Sequence, residues 1–534
     1  MSIQSEITRI IDARDEAFEA VKAKGVTVEY GSKIDDLPQY ILDIDTQFGD
    51  DVIFIDYDGT ELYKYKASVV QSMTELPPNP SHPGLVAQGW NWSLAEIKTQ
   101  LTNVGGKVFV GQMYNTASGA TEIDIELLES AKSPWLRFAL NGTATVDWGD
   151  GSTPSELTGS SLSTNVTEQH AYASGGSYTI KITLSSGSSG SFFMDNNVYR
   201  PINGNKSDGN ANASYASAIT AIRISDSMAI GNNSFRSCYN MKNITIATGI
   251  TSIGKYAFIG CRSLNAVVLP DSITSIGQES FNTSSSLKCV SIPFGAIAWG
   301  SSAFYDCRSL EYITMPSGMT GTLESGSFYD CFALKSIVIP SGITKISGQT
   351  FKFCRTLKDV VLPSGLTEIS GSAFHTCSAL EHIEFPSSMS SIGSAMFQGC
   401  GSLKSVTFPT TLSSISYDSM FKECNSLQSF TMPSYIPSIA GSMFYRNYSL
   451  HVFNIPTNVT NIAQSAFYEC YGMKEYHFAS TTPPTLDNVN AFDKIQSYCV
   501  MYVPYSADHS VLEAYKTATN WATYADYMQE EPQV

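Results

Sequence analysis

A phenylalanine recurs at positions 235, 258, 281, 304, 328, 351, 374, 397, 421, 444 and 467, always 23 or 24 residues after the last. Three residues beyond each stands Cys238, Cys261, Ser284, Cys307, Cys331, Cys354, Cys377, Cys400, Cys424, Asn447 or Cys470. Three further comes leucine, or Met241 and Met473. A proline closes the apolar run in nine of the eleven copies, as in Leu334-Lys335-Ser336-Ile337-Val338-Ile339-Pro340. A unit this short cannot bury its apolar face alone, so neighbouring coils must stack and share one core. Ile337 and Ile339 alternate as on a strand with one face inward. Pro340 lacks an N–H and turns the chain. Ile343 and Ile346 supply a second inward edge, and Phe351 fills the corner. The pattern predicts a mainly β chain: a solenoid of about eleven coils over 219–480, preceded by small β modules and an N-terminal helical segment.

These columns resemble the BspA-like branch of the leucine-rich repeats, whose hallmark runs L-x-x-I-x-I-P-x-x-V-T-x-I-G-x-x-A-F-x-x-C. Ile273-Thr274-Ser275-Ile276-Gly277 with Phe281 is close to it. The resemblance implies a leucine-rich-repeat solenoid serving adhesion and recognition. Two coils depart: Phe294 to Trp299 replaces the usual second edge, and Met319 to Leu323 carries an inserted residue. Irregular structure is expected at both.

At 534 residues several domains are expected. A net charge of −17 argues against nucleic acid or an anionic membrane as partner. No run of about 18 apolar residues exists, so membrane insertion is not expected. The N-terminus lacks the basic and apolar regions of a secretory signal, and the C-terminus shows no anchoring signal. Nine of the eleven cysteines lie in the repeat column. Stacked coils bring their Cα atoms within bridging range, about 4.8 Å. Ser284 and Asn447 occupy the same slot, which favours buried free thiols over a disulfide ladder.

Ahead of the solenoid, Ile3, Ile7, Ile10, Ala17 and Val21 fall at helical spacing, with Ser2 as N-cap and Gly25 as stop. The helix either docks on its own domain or a partner, or drives homo-oligomerisation, as a trimer. With a second short helix over Asp35 to Ile44, residues 1–49 resemble N-terminal segments of phage and prophage tail-fibre-like proteins. That resemblance implies attachment to tail or baseplate proteins.

Val52 to Thr60 reads as a strand entering an Asp-Gly turn, with Leu62 to Tyr65 returning as its partner. With the later Gly89-Trp90-Asn91-Trp92, this stretch resembles the β-grasp-like repeat of internalin B. A helix from Ser93 to about Asn103 and strands near 107–113 and 122–128 complete a module over 50–131, or bridge to the next. Residues 132–198 then carry Asp147-Trp148-Gly149-Asp150-Gly151, His170-Ala171-Tyr172 and Gly176-Ser177-Tyr178, and resemble a polycystic-kidney-disease (PKD) sandwich. Asp147 and Asp150 serve either tight-turn hydrogen bonding or calcium binding. A Gly/Ser/Asn-rich linker is expected over 199–218 and a C-terminal cap over 481–534.

No catalytic constellation, cofactor motif or metal-ligand spacing emerges, so an enzyme is not expected. A recognition surface does emerge. The residues after each phenylalanine and after each cysteine-column position share one exposed turn and give a ridge: Tyr239, Arg262, Tyr305, Arg308, Tyr329, Phe332, Arg355, Tyr445, Tyr448, Tyr468 and Tyr471. Tyrosine and arginine dominate binding hot spots. They also roof a core as amphipathic side chains do, and that reading stands beside the first. The rival surface is the outward sheet face, with Tyr312, Asp359, His382 and Glu384. The reading that follows is a phage or prophage tail receptor-binding protein, assembled in the host cytoplasm and placed at the virion tip. Its solenoid would meet a host glycan or protein. The alternative is a bacterial cell-surface adhesin.

Overall fold

The computed structural model describes residues 51–192, 201–203, 215, 217–295, 297–412, 414–433 and 435–532. The helical segment expected over 1–49 lies outside them. The solenoid is present, parallel and in register. Second-edge strands stack one per coil: Ser275–Ile276 on Ser252–Ile253, Glu368–Ile369 on Gly342–Ile346, Asn461–Ile462 on Ser438–Ile439. First-edge strands do the same, as in Ser336–Val338 on Asp359–Val361.

The corner phenylalanines form one column of parallel rings, with centroids 5.2 Å apart from Phe258 to Phe281 and 6.2 Å apart from Phe374 to Phe397. Two left-handed residues per coil shape that corner. In one coil they are Gln349 (φ 61°) and Phe353 (φ 66°) around Phe351. The tight bend brings alternate backbone amides to the next coil, as Phe351 N–H donates to Ala373 O at 2.9 Å, while those between them bond within the coil, as Lys352 N–H does to Gln349 O. The cysteine column now has a physical reason. From Cys261 to Cys470 each column thiol donates to the corner carbonyl one coil back, as Cys354 Sγ does to Phe328 O at 3.0 Å and Cys377 Sγ to Phe351 O at 3.1 Å. The Ser284 hydroxyl and the Asn447 amide do the same for Phe258 O (3.0 Å) and Phe421 O (2.8 Å). All eleven cysteines are free and buried.

Of the two departing coils, the first keeps a regular second-edge strand, Ala298–Trp299 in register with Ser275–Ile276, and the break in register lies at the second. The strand before Gly342–Ile346 shifts register between Gly321 and Thr322. Trp299 takes the inward second-edge position that Ile276 holds one coil back, edge-on to the corner rings Phe304 and Phe328.

Three boundaries differ from expectation. First, β1 (Asp51–Ile55), β2 (Glu61–Lys66), β3 (Leu85–Trp90) and β4 (Val108–Thr116) make a sheet in the order β2-β1-β4-β3. The short helix α1 (Ala67–Ser72) and α2 (Leu94–Asn103) belong with it, and Ser93 and Glu96 close a capping box on α2. β5 (Thr121–Leu127) does not belong to this module, because it pairs along its length with β8 (Gly176–Leu184). The module ends nearer 116 than 131.

Second, the expected sandwich over 132–198 is no separate body. β6 (Trp135–Asp147), β7 (Ser155–Gln169), β8 and β9 (Ser189–Ser191) share one sheet with β5, and with β11 (Ile219–Ile224), β12 (Met228–Ala229) and β13 (Asn243–Ile246) of the first coils. β5 pairs antiparallel with β11, and Arg223 clamps the joint, bonding Glu122 at 2.8 Å and Asp124 at 2.6 Å. The described part of the expected linker is structural: β10 (Ile202–Asn203) pairs with β6, and Tyr215 and Ala218 are buried. One apolar core therefore runs from Ile123 to Met528. The sheet caps the solenoid's open end, as a stack of coils requires.

Third, the repeat continues past 480. Thr485–Leu486 pairs with Asn461–Ile462, and Phe492 stacks on Phe467 at 5.2 Å. The cap proper is α3 (Ser510–Thr517), a 3-10 turn over Trp521–Tyr527 and the strand Met528–Glu530, which pairs with Met501–Val503.

Candidate functional site

The first module does not stand clear of the solenoid. It lies on the outward sheet face, where Ile53, Ile55, Phe109 and Met113 form a buried cluster with Ala266, Val268 and Cys289. Buried polar groups pin it. The Asn91 amide donates to Leu269 O at 2.9 Å and to Ser291 Oγ at 3.0 Å. Trp92 Nε1 donates to Ile292 O at 2.6 Å, and Gln100 Nε2 to Met315 O at 3.0 Å. Thr314 Oγ1 accepts from Phe109 N–H and donates to Lys107 O, both at 2.9 Å. Phe294, one of the residues that depart from the repeat pattern, packs edge-on to Trp92 at 5.3 Å. Two glycines permit the approach. Gly59 has φ +87°, and a Cβ there would lie 2.7 Å from Ala266 Cβ; a Cβ at Gly111 would overlap Val268. Small and aliphatic residues at outward sheet positions were the sequence signal for this cover.

The rival site is thus partly occupied. Tyr312 packs under the module, with Lys107 Nζ 3.7 Å from its ring centroid. Asp359 lines a cleft beside it, whereas His382 and Glu384 are exposed on the uncovered face beyond. The structure does not unite these four residues in one site. Farther along, His477 is held between Glu531 (2.6 Å) and Glu475 (3.1 Å).

The ridge lies on the turn edge, away from the module, and its two columns differ. Positions following the cysteine slot are open: Tyr239 is 37% exposed, Phe332 46%, Tyr448 40% and Tyr471 42%, and Arg262, Arg308 and Arg355 are exposed too. Positions following the phenylalanine are half-buried. Tyr305 stacks on Tyr329 at 4.4 Å, and Tyr445 on Tyr468 at 4.9 Å. This inner column roofs the core with its ring faces turned on one another, leaving edges and hydroxyls outward.

Charged groups run between the rings. Arg308 bridges Asp306 (2.5 Å) and Asp330 (3.1 Å), and Arg446 lies over Tyr445 while bonding Glu469 at 2.6 Å. Arg262 covers Tyr239 at 5.3 Å. Two aromatic patches result. One runs from Tyr305 through Tyr329 and Phe353 to His375, flanked by Phe332; the other joins Tyr445, Tyr468, Tyr448 and Tyr471. Phe353, a ring in a left-handed position, joins the first patch although it stands in neither ridge column, so the repeat pattern does not mark it. Tyr498, which is 59% exposed and donates to Tyr471 O at 2.7 Å, extends the second patch past the point where the sequence period breaks.

Asp147 and Asp150 serve the turn. Asp147 accepts from Gly149 N–H at 2.9 Å and Asp150 from Ser152 N–H at 3.0 Å. The other Asp150 oxygen bonds His170 at 2.8 Å, and that imidazole stacks on Trp148 at 4.7 Å. Partial burial works against the Asp150 charge, but the bonds from Ser152 and His170 prevail and hold its carboxyl at about 2. Among the described residues no cluster of three or more His, Cys, Asp or Glu side chains is placed to hold a metal.

Leucine-rich-repeat structures resemble the chain. One from Bacteroides ovatus is 24% identical, covering 60% of this chain and 87% of its own, with a TM-score of 0.47. One from Eubacterium ventriosum is 22% identical, covering 57% and 93%, with a TM-score of 0.38. A leucine-rich cell surface protein from Faecalibacterium prausnitzii is 21% identical, covering 56% and 93%, at 0.31. No curated protein matches. The family described as BspA type Leucine rich repeat region matches in six copies over residues 210–322, 321–419 and 416–496, which is more than half of the sequence. The chain belongs to the BspA-type leucine-rich-repeat family.

Proposed function

We propose that this chain is a recognition protein of the adhesive type, binding a macromolecule on a cell surface through the turn-edge ridge. The observation that carries the reading is the exposure of Phe332, Tyr448 and Tyr471. Equivalent positions hold Ser285, Ser378, Gly401 and Asn425, so the coil itself does not need a ring there. A large apolar group left in water at a structurally permissive site is the signature of contact. Ring edges, hydroxyls and the Arg308 and Arg446 guanidiniums suit a polar partner, a surface protein or glycan. Catalysis plays no part in this reading.

The β-grasp-like and PKD-like readings of the first two modules rest on the residues that build them, Asp56 to Gly59 with Trp90, and Trp148 with Asp150 and His170. Here both modules act as cover and end cap. A second reading, a tail-fibre receptor-binding protein, rests on the resemblance of residues 1–49. It keeps the same ridge and adds tail or baseplate proteins as partners, a trimer as the assembly and the virion as location. Co-purification of the chain with phage particles would favour it; display on intact bacterial cells would favour the adhesin.

The test of the ridge is binding of fluorescently labelled full chain to a panel of bacterial and epithelial cells. Tyr448→Ala/Tyr471→Ala should weaken binding at least tenfold, roughly 1–2 kcal/mol per residue, with unchanged thermal unfolding. Unchanged binding by this double variant and by Phe332→Ala would overturn the assignment.

A further inference from the structure

Charge is not spread evenly over the solenoid. Residues 219–480 carry 16 Lys and Arg against 15 Asp and Glu, nearly neutral in a chain of net charge −17. Thirteen of those 16 cations lie on the turn edge, between the corner phenylalanine and the residue after the leucine, with six of the 15 anions. Elsewhere on the coils anions outnumber cations nine to three. The coil itself does not need this, since Ser, Gly, Asn and Gln fill the same slots in other copies.

The excess concentrates on the first six coils, where the turn edge holds nine cations and three anions. Two slots alternate there to form a track. Lys242, Arg262, Lys288, Arg308, Lys335 and Arg355 give one exposed cation per coil. Backbone bonds hold the spacing, as Lys288 N–H donates to Asn265 O at 2.8 Å and Lys358 N–H to Lys335 O at 2.9 Å. At about 4.8 Å per coil the track runs roughly 25 Å. The three carboxylates beside it are already engaged: Asp306 and Asp330 bond Arg308, and Glu311 bonds Lys335. Among the described residues no carboxylate pairs with Lys242, Arg262 or Lys288. Arg262 lies over the Tyr239 ring, a contact that leaves its charge uncancelled. Cations in adjacent coils stand within a Debye length of about 8 Å, so the row repels itself until a linear polyanion neutralises it.

Ring geometry decides which polyanion. Single-stranded nucleic acid binds by stacking bases on open ring faces. Here Tyr305 and Tyr329 turn their faces on one another at 4.4 Å, and Arg262 covers the face of Tyr239. Ring edges and guanidiniums remain outward, which suits sugar hydroxyls together with carboxylate or sulfate groups.

We propose that the turn edge of the first six coils binds an acidic polysaccharide lengthwise, its carboxylate or sulfate groups on the cation track. This deepens the reading of the turn edge as a recognition surface and rests on it, but at the end away from Tyr448 and Tyr471.

Surface plasmon resonance of the full chain over immobilised heparin, neutral dextran and single-stranded polythymidylate tests the proposal. Heparin should bind at least tenfold more tightly than either other surface, and at least tenfold more weakly at 300 mM than at 50 mM NaCl. Arg262→Gln/Lys288→Gln and, separately, Arg355→Gln/Lys358→Gln should each lower heparin affinity at least fivefold without shifting thermal unfolding. Lys255→Gln/Lys345→Gln removes the same charge elsewhere on the coils and should leave it unchanged, as should Tyr448→Ala/Tyr471→Ala. Heparin affinity that survives both edge variants, or that falls equally in Lys255→Gln/Lys345→Gln, overturns the proposal. Tighter binding of polythymidylate overturns it in favour of nucleic acid. Absence of heparin binding overturns it too, and cells still bound by the same chain would then leave the recognition surface standing without its acidic-sugar partner.

Discussion

The Asn91 side chain donates to the Leu269 carbonyl at 2.9 Å across 178 positions of sequence. That bond, with Trp92 on Ile292 and Gln100 on Met315, makes the first module part of the solenoid's surface. It also decides which faces remain for partners. The sheet face of the early coils is spent, and the turn edge is not.

The corner column makes a graded prediction. Cys354→Ser should cost under about 1 kcal/mol, because Ser284 already fills the same role for Phe258. Phe351→Ala should cost roughly 3–5 kcal/mol, since it opens a gap in a continuous ring stack. Urea unfolding of the two variants beside wild type checks the contrast.

The joint between cap sheet and solenoid predicts a second cost. Arg223→Ala leaves Glu122 and Asp124 facing each other half-buried, and should destabilise by about 1–3 kcal/mol. Arg223→Lys should recover only part of this, because one ammonium cannot reproduce the bonds to both carboxylates. Differential scanning calorimetry of the three proteins reads the order.

How far these features could be read from sequence depends on whether they repeat. Phe351, Cys354, Leu357 and Pro363 each belong to a column of many copies, so one slot explained the others. The docking of the first module does not repeat. Asn91, Gln100 and Gly111 meet the solenoid some 200 positions away, and no local pattern announces it. The cover left one trace, the apolar outward positions Ala266, Val268 and Cys289, which on an open sheet face would be costly. The ridge was legible as a set of residues, but its division into a stacked inner column and an open outer one depends on side-chain direction. Phe353 shows this well: its left-handed backbone turns an apparent core residue outward.

Asp150 gives a prediction in pH. Its carboxyl is held at about 2 against an ordinary value near 3.8, so its bonds to Ser152 and His170 stabilise the fold above pH 4. That contribution is lost as pH falls from about 4 towards 2. Asp150→Asn should therefore be less stable than wild type at pH 5, by under about 1 kcal/mol given its partial exposure, and the difference should vanish near pH 2. Urea midpoints of both proteins at pH 5, 3.5 and 2.5 test it; a difference independent of pH would contradict the assignment.

The closed sheet face is tested most directly by Cys289, the outward cysteine buried under Gly59 and Phe109 rather than in the repeat column. Burial pushes its thiol up to about 12, so both access and ionisation are suppressed while the module is docked. Native-state alkylation with iodoacetamide, read by mass spectrometry, should leave Cys289 unlabelled in the wild-type chain. In Gly111→Val, whose side chain wedges against Val268, Cys289 should label within minutes while Cys307 stays protected in the core. Labelling of wild-type Cys289 at the rate of an exposed thiol would contradict the account.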